Sequence, residues 1–138
     1  MTSYREVIHI RTRHREEVVH ITAAVKRACA KSGISEGLAL IFPRHTSAAV
    51  YVSDCDGALT EDFRAVMGQL APEGRSYAHN ANDHKRNAHA HLRATLTGHH
   101  CIVPITGAKL DLGAYQAIYY AEFDGQRPKE ILVKIIGG

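Results

Sequence analysis

Apolar and polar residues alternate along the beginning of the chain, from Tyr4 to Arg13. A period of two is typical of a β-strand with one buried face. Between Glu16 and Lys31 the apolar spacing changes to three and four residues, which predicts an amphipathic helix that ends at Gly33. The apolar stripe of this predicted helix consists of Val18, Ile21, Thr22, Val25, Ala28 and Cys29.

The next apolar segment, Gly37 to Pro43, is continuous and short, so it predicts a buried strand. A second strand is expected from Ser47 to Ser53, after the polar residues Arg44 and His45. A strong helical pattern follows from Ala58 to Leu70. The stripe of that helix consists of Leu59, Phe63, Val66, Met67 and Leu70.

The segment from Pro72 to Arg86 is polar and irregular, and a loop of this length in a compact domain is typical of a functional segment. A third helix is expected from Ala88 to Thr97, capped by Asn87 and ended by Gly98. Three further strands are predicted over His100–Thr106, Tyr115–Phe123 and Lys129–Ile136. About three helices packed on mostly antiparallel strands predict a single layered α+β domain over residues 1–138.

Length and composition are those of one soluble domain. The chain has 138 residues, of which 45% are hydrophobic and 22% charged, as in ordinary globular proteins. No segment contains the roughly 20 apolar residues that cross a bilayer, and Met1–Arg15 lacks the apolar block of a secretory signal. We therefore expect a cytoplasmic protein without membrane association. The net charge of +3 is scattered and no nucleic-acid-binding motif is present, so nucleic acid is not an expected partner.

Histidine is the unusual component of the chain, with ten residues, most of them between His79 and His100. The segment Tyr77–Leu92, which reads YAHNANDHKRNAHAHL, carries four of them. Imidazole is the most common protein ligand for metals, and three imidazoles with a water form an open zinc site of the catalytic type. A surface histidine tract without a ligand is the alternative interpretation. The segment favours a metal or anion site.

Helix geometry separates the last two histidines of this segment. His89 and His91 project to roughly opposite sides of a helix, at about 100° per residue. His91 lies one turn before Thr95 and beside the apolar stripe, so we expect it to face inward. A helix N-terminus disfavours a protonated ring, which would keep His91 able to bind a metal. The histidines that we expect to be mostly exposed are His84, His89, His99 and His100.

Two other segments carry candidate polar residues. His45 and Ser47 follow the buried strand and point the same way. A polar strand end is an equal interpretation, and a Ser–His nucleophile is disfavoured because no GxSxG turn is present. Further along, alternation places Gln116 and Glu122 on one face of a strand, where they could line one pocket. Arg127 could clamp a phosphate or carboxylate. The pattern alone favours the simpler interpretation, an ordinary half-exposed strand followed by a surface arginine.

Three motifs occur together and in order: HTSAAV, then Y-x-H followed by N-A-x-A-H-L, then L-x-LG-x-Y-Q-x-I followed by EFDG-x-R. Together they resemble the YjbQ family, described as secondary thiamine-phosphate synthases, over almost the whole chain. The resemblance implies a compact α+β domain that assembles as a homotrimer, with a polar pocket at a subunit boundary. Asp54, Tyr115 and Gln126 depart from the family pattern, which has glutamate, tryptophan and proline there.

The resemblance also implies which residues form the site. The metal ligands would be His45, His79 and His91, holding a divalent metal ion such as zinc. The catalytic residues would be Ser47, Asp62 and Glu122. The substrate-binding residues would be Asn87, Gln116 and Arg127, and the partner would be a small phosphorylated metabolite.

Three functions are consistent with these residues. The first is thiamine-phosphate synthase chemistry, which joins a pyrimidine pyrophosphate to a thiazole phosphate and releases pyrophosphate; Arg127 and a metal would neutralise its charges. Magnesium is disfavoured, because imidazole suits zinc, nickel or copper and no DDxxD-like cluster is present. The second is a metal-dependent hydrolase or lyase, with Glu122 or Asp62 as general base. The third is a non-catalytic metal- or metabolite-binding protein.

Overall fold

Two antiparallel β-sheets pack on each other in the computed structural model, which describes residues 1–138. The elements in chain order are β1 (Thr2–Ile10), β2 (Glu17–His20), α1 (Thr22–Ser32), β3 (Gly37–Pro43), β4 (Ala48–Asp54), α2 (Gly57–Leu70), a 3-10 helix (Ala78–Ala81), α3 (Ala88–Thr97), β5 (Cys101–Thr106), β6 (Lys109–Leu110), β7 (Gln116–Glu122) and β8 (Lys129–Gly137). The first sheet has the strand order β1-β8-β3-β5-β6 and the second β2-β7-β4. This arrangement confirms the predicted α+β class. None of the helices has the length and apolar character to cross a membrane.

The main core lies between the two sheets and is closed by α1. It contains 16 buried residues from both sheets and from the helix. β8 contributes Ile131, Val133 and Ile135, every second residue, as the period of two requires. α1 contributes part of its predicted stripe and ends at Gly33 as predicted. Gly33 has a φ of 67°, which glycine adopts without the steric cost that a Cβ would bring.

A smaller core covers the other face of the three-stranded sheet with α2 and α3. Alanines occupy both sides of the contact between α3 and β4, with Ala90 and Ala94 on the helix and Ala49 on the strand. Side chains of this size let the helix approach the sheet closely. Met67 of α2 and Phe123 after β7 complete the cluster. The contact brings the histidine-rich helix next to the polar residues that precede β4.

The predicted helix from Glu16 to Lys31 is wrong in its first part. The structure has the strand β2 at Glu17–His20, and α1 begins only at Thr22. β2 pairs with β7, with Val18 opposite Ala121. Two adjacent valines suit a strand, but the pairing partner lies far away in sequence. The local helical spacing therefore predicted the wrong element.

The loop from Pro72 to Arg86 contains the 3-10 helix, which was not predicted. Asn87 precedes α3 as expected, but its side chain does not cap the helix. The amide nitrogen of Ala88 instead donates to Oδ1 of Asn80 at 3.1 Å, and Nδ2 of Asn87 donates to Asp124. The loop therefore caps α3 with one of its own residues, which holds the loop against the helix and leaves Asn87 free for another role.

Close packing at the start of β3 leads to a prediction about Gly37, which lies opposite Gly137 of β8. A Cβ at Gly37 would collide with the backbone oxygen of Ile136. We expect Gly37→Ala to lower the free energy of unfolding by about 1–3 kcal/mol, the usual cost of overpacking, as measured by urea denaturation. The control is Gly57→Ala in α2, where nothing lies within 4 Å of the added Cβ and stability should be equal or higher. Equal stability of the two variants would contradict this strand contact.

Candidate functional site

An open cleft of about 480 Å³ lies between the segment before β4, the segment that leads into α3 and the segment that leads into β8. Its lining contains four cationic residues and one carboxylate, and Pro128 is its only aliphatic residue. The lining residues are Arg44, His45, Thr46, Ser47, Asp83, Lys85, Asn87, His91, Arg127, Pro128 and Lys129. This composition is typical of a site for phosphate or another polyanion.

A second groove, of about 550 Å³, continues from the cleft and shares Thr46 and His91 with it. The groove is more apolar than the cleft. Its apolar residues are Tyr77, Ala78, Ala88 and Leu92. A ligand whose charged end lies in the cleft could therefore place an uncharged part in the groove.

A cluster of His79, Asp83 and His91 lies where the cleft and the groove meet. One ligand atom of each residue lies within 4.8 Å of the others. Nε2 of His79 is 3.1 Å from Oδ2 of Asp83, and the rings of His79 and His91 are 5.0 Å apart, edge to face. The 3-10 helix positions His79, and α3 positions His91. Two imidazoles and a carboxylate form a donor set that suits zinc.

Asp124 orients two residues of the cleft. Its carboxylate accepts hydrogen bonds from Nδ2 of Asn87 at 2.9 Å, Nη2 of Arg127 at 3.0 Å and Nε of Arg15 at 3.1 Å. Burial alone would raise the pKa of Asp124, but the hydrogen bonds from Asn87 and Arg15 and the nearby cations outweigh it and hold the pKa below its usual value. The ionised carboxylate thus fixes the amide of Asn87, so that Oδ1 faces away from Asp124.

The orientation of Asn87 determines what His91 faces. Nδ1 of His91 is 3.0 Å from the carbonyl oxygen of Thr46, which can only accept, so Nδ1 carries a proton. Nε2 of His91 is 3.1 Å from Oδ1 of Asn87, which also can only accept. Two lone pairs at this distance repel each other. A positive charge near the two atoms would make the contact attractive.

His45 does not belong to this cluster, although it lines the same cleft. The backbone amide of Glu130 donates to Nε2 of His45 at 2.8 Å, which occupies the nitrogen that a metal would need. Burial lowers the pKa of His45 below its ordinary value; the charges of Lys129 and Arg127 add to this effect, and Glu122 and Glu130 oppose it. The grouped donors are therefore His79, Asp83 and His91. The sequence had predicted His45 in the position that Asp83 takes.

Beneath the cleft, Glu122 and Lys129 form a buried ion pair. Nζ of Lys129 is 3.2 Å from Oε2 of Glu122, and their side chains are 5% and 0% exposed. The hydroxyl of Tyr120 donates to Oε1 of Glu122 at 2.7 Å, and burial together with this carboxylate raises the pKa of Tyr120. Lys129 also belongs to the lining of the cleft, so the pair connects the core to the site.

Comparison with known proteins identifies the family. The chain matches the family described as UPF0047 protein YjbQ-like over residues 6–138. The chain belongs to this family. The UPF0047 protein of Methanothermobacter thermautotrophicus is 36% identical over 99% of this chain and 94% of that protein. The UPF0047 protein YugU of Bacillus subtilis is 29% identical over 96% of this chain and 98% of that protein.

Solved structures agree with the fold of this family member. A crystal structure from Sulfolobus solfataricus, described as a YbjQ-like protein of unknown function, has a TM-score of 0.94 and 36% identity over 99% of both chains. A structure of a YjbQ/UPF0047 protein from Clostridium acetobutylicum has a TM-score of 0.88 and 33% identity over 95% of this chain and 99% of that chain. The predicted family and its α+β fold are confirmed.

The structure brings together six of the residues that the sequence singled out. Five of them, namely His45, Ser47, Asn87, His91 and Arg127, line the cleft. The sixth, His79, lines the adjoining groove and approaches His91. These residues come from separate segments, and the contact of α3 with β4 is what makes them neighbours.

Three other predicted residues do not line the cleft. Asp62 is exposed on α2, and no residue of α2 lines the cleft. Gln116 is at the start of β7, where its Oε1 accepts from the amide of Gly113. Glu122 shares a face of β7 with Ile118, as predicted, but this face packs into the core between the sheets. The idea that Gln116 and Glu122 line one pocket is therefore wrong.

Several residues of the cleft were missed by the sequence analysis. Asp83 follows His79 by four residues, and this spacing inside the histidine segment was a usable signal. Arg44 directly precedes His45, and Lys85 lies in the loop that was already singled out. Lys129 gave no local signal, because it stands as the first residue of a strand whose other inward residues are apolar.

His89 was expected to be exposed, but it is 2% exposed on the inner side of α3. Its Nε2 lies 3.8 Å from Oε2 of Glu73, and its Nδ1 has no partner. The reason is the helical period: a separation of two residues corresponds to about 200°, so His89 lies on the opposite side of α3 from His91, which lines the cleft. Burial lowers the pKa of His89 below its ordinary value, although Glu73 partly opposes this effect.

This lowered pKa predicts how stability changes with pH. Between the folded-state pKa and the unfolded value of about 6.5, the unfolded chain binds the proton more readily, so stability falls as pH falls. We expect the free energy of unfolding to decrease from about pH 6.5 toward about pH 5, before most carboxylates titrate. His89→Leu should flatten this dependence and leave a remainder from His45, whereas the exposed control His84→Gln should not change it. An unchanged pH dependence of the free energy of unfolding in His89→Leu would show that His89 is not its cause.

Proposed function

We propose that this protein is an enzyme that acts on a small phosphorylated metabolite, with a divalent metal ion held by His79, Asp83 and His91. The reaction that we assign first is of the thiamine-phosphate synthase type, in which a pyrimidine pyrophosphate is joined to a thiazole phosphate and pyrophosphate leaves. The observation that carries the proposal is the position of this donor cluster at the wall of a cationic cleft.

The cleft offers the charges that two phosphorylated reactants require. Arg127 uses Nη2 on Asp124, at 2.9 Å to the backbone oxygen and 3.0 Å to Oδ2. Its other guanidinium donors remain for an anion. Lys85 and Lys129 add charge to the same lining. Such groups would bind a pyrophosphate and stabilise the charge that it gains on leaving.

The surroundings of the cluster also suit a metal ion. Nδ1 of His91 donates to the carbonyl of Thr46, which is the usual way in which a metal-binding imidazole is oriented. Oδ1 of Asn87 lies beside Nε2 of the same ring and could serve as a further oxygen donor. Mixed nitrogen and oxygen donors favour zinc among the common divalent ions. A bound ion would supply positive charge next to the leaving phosphate.

The groove beside the cluster supports a substrate with two unlike parts. It contains Tyr77 and Leu92, whose apolar surfaces could contact the organic part of a metabolite while its phosphates lie in the cleft. The two spaces share His91, so a metal ion bound to this residue would lie between the two parts of the substrate.

The test is pyrophosphate release by zinc-loaded protein that is given both thiamine precursors. We expect release with both compounds together, and none with either compound alone. Arg127→Gln should slow release by about 10²–10³-fold, the usual effect of removing a donor to developing charge. The matched control is Arg5→Gln, on the exposed surface of β1, which should behave as wild type. No release with both precursors would overturn the assigned reaction.

A metal-dependent hydrolase or lyase is the second candidate, and the donor set favours it. Two imidazoles and one carboxylate are the protein ligands of several hydrolytic zinc enzymes. The general bases considered from the sequence do not support it, because Glu122 is engaged by Lys129 and Asp62 is exposed on α2. Phosphate or another product released from a single phosphorylated compound would favour this candidate. A compound that binds and is recovered unchanged would favour non-catalytic binding.

We also propose a homotrimer, as the family resemblance implies. The outward face of the first sheet supports contact between copies, because apolar side chains are exposed on its neighbouring strands. These are Leu38 at 46%, Ile102 at 59% and Ile136 at 39% exposure. Exposed apolar side chains grouped in this way are typical of protein interfaces. Light scattering should give the mass of three chains, and Ile102→Glu should reduce it.

A further inference from the structure

His45 lines the cleft but has a different partner from the clustered histidines. β3 ends at Pro43, which pairs with Ile131 of β8. One residue further along, the amide of Arg44 donates to the backbone oxygen of Glu130 at 3.1 Å. The amide of Glu130 then donates to Nε2 of His45 at 2.8 Å. The imidazole thus takes the place that a backbone carbonyl would have in a longer β3.

This contact determines which ring nitrogen carries the proton. A backbone N–H can only donate, so Nε2 must present its lone pair. A neutral ring then carries its proton on Nδ1. Turning the ring over would replace Nε2 by a carbon atom, which could not accept the hydrogen bond of the Glu130 amide. The ladder of β3 and β8 therefore holds His45 in one tautomer.

A ring in this tautomer has no lone pair left for a metal ion. Nε2 is occupied by Glu130, and Nδ1 is protonated. The grouped metal donors are His79, Asp83 and His91, without His45. What His45 offers to the cleft is one uncharged N–H donor. The only side-chain hydrogen bond of His45 is the one at Nε2, and Nδ1 is not among the buried atoms that lack a partner, so Nδ1 retains some solvent exposure.

The groups around His45 are arranged for an anion. Lys129 and Arg127 line the same cleft, and Nζ of Lys129 donates to Oε2 of Glu122 and to the backbone oxygen of Asp124. An ammonium has three N–H donors, so one remains. Burial, together with the charges of the two cations, lowers the pKa of His45 and so favours the neutral ring, whereas Glu122 and Glu130 oppose this effect.

We infer that His45 is a phosphate-binding residue, which donates Nδ1–H to a phosphate oxygen beside Lys129, and that it is not a metal ligand. This inference rests on the proposed function, namely that a phosphate occupies the cleft and that a metal ion binds to the neighbouring cluster. The histidines then have different roles, in which His79 and His91 hold the ion and His45 holds the anion that lies next to it.

The first experiment is nitrogen NMR on protein labelled with ¹⁵N-histidine, near neutral pH. Long-range proton–nitrogen correlations distinguish the two tautomers, and the His45 signals are identified by their loss in His45→Ala. We expect a protonated Nδ1 and an unprotonated Nε2. The variant serves only to assign the His45 signals, and the tautomer itself is measured on the intact wild-type protein. A ring protonated on Nε2 would overturn the inference.

The second experiment measures zinc content and the affinity for inorganic phosphate by calorimetry. His45→Ala should keep stoichiometric zinc and bind phosphate about 10–100-fold more weakly, the effect of losing one hydrogen bond to a charged group. His45→Asn places an amide N–H near the position of Nδ1 and should recover most of the affinity. Loss of zinc in His45→Ala would overturn the inference.

The outcomes separate this inference from the proposed function. If wild-type protein binds no phosphate, both the phosphate site of the proposed function and the donor role of His45 fail. If wild-type protein binds phosphate and His45→Ala binds it equally well, only the inference about His45 fails.

Discussion

Glu122→Gln is expected to lower the free energy of unfolding by about 3–5 kcal/mol, which is the cost of leaving one charge of a buried pair uncompensated. Gln has nearly the shape of Glu, so the effect reports the charge and not a cavity. The side chain of Glu122 is fully buried, and Lys129 is 5% exposed at 3.2 Å from it. Urea denaturation followed by circular dichroism measures the change, which should appear in the midpoint and not in the slope.

A double-mutant cycle provides the control for this prediction. Lys129→Met alone should be similarly destabilising, because it leaves the carboxylate buried without its partner. The double variant with Glu122→Gln and Lys129→Met should recover most of the loss, because no net charge is then buried and the amide can still bond to the hydroxyl of Tyr120. If the losses in free energy of unfolding of the two single variants add in the double variant, the two charges do not stabilise each other.

His91→Ala is expected to abolish stoichiometric zinc binding. Removing an outer partner of a metal ligand typically weakens binding by about 10–100-fold, and loss of the ligand itself should cost more. The rings of His79 and His91 are 5.0 Å apart, and removal of one leaves the other with only the carboxylate of Asp83. Elemental analysis after dialysis against a weak chelator measures the result, and pyrophosphate release should disappear in the same variant.

The matched control is His84→Ala, because His84 belongs to the same histidine segment but is exposed and outside the cluster. It should retain zinc. Zinc should also raise the melting temperature of the wild type and of His84→Ala, since an ion that binds the folded state stabilises it by about 2.7 kcal/mol at 100 times its dissociation constant. Equal zinc content in His91→Ala and wild type would refute the metal site.

Hydrophobic spacing predicted the elements whose buried faces are local in sequence. The strand β3 and the helices α2 and α3 appear within a few residues of their predicted bounds. The predicted apolar stripe of α2 is largely exposed, and Met67 is the only buried residue of that helix. The spacing failed at β2, where Val18 and its neighbours fit a helix and a strand equally well, and the pairing with β7 decides between them. Local patterns determine what a segment can form, but a pairing partner far away in sequence determines what it does form.

In the candidate site, too, some features follow from the local sequence and others only from contacts between distant segments. The sequence alone identified an α+β domain of the YjbQ family and a histidine-rich segment. It assigned the inward position to His91, whereas the structure buries His89 and leaves His91 at the cleft. Only the tertiary structure decided that Asp83 joins the cluster in place of His45, and that Lys129 reaches the cleft from the core. The physical reason is that a hydrogen bond or an ion pair between distant segments, such as the amide of Glu130 on Nε2 of His45, leaves no mark in the spacing of either segment.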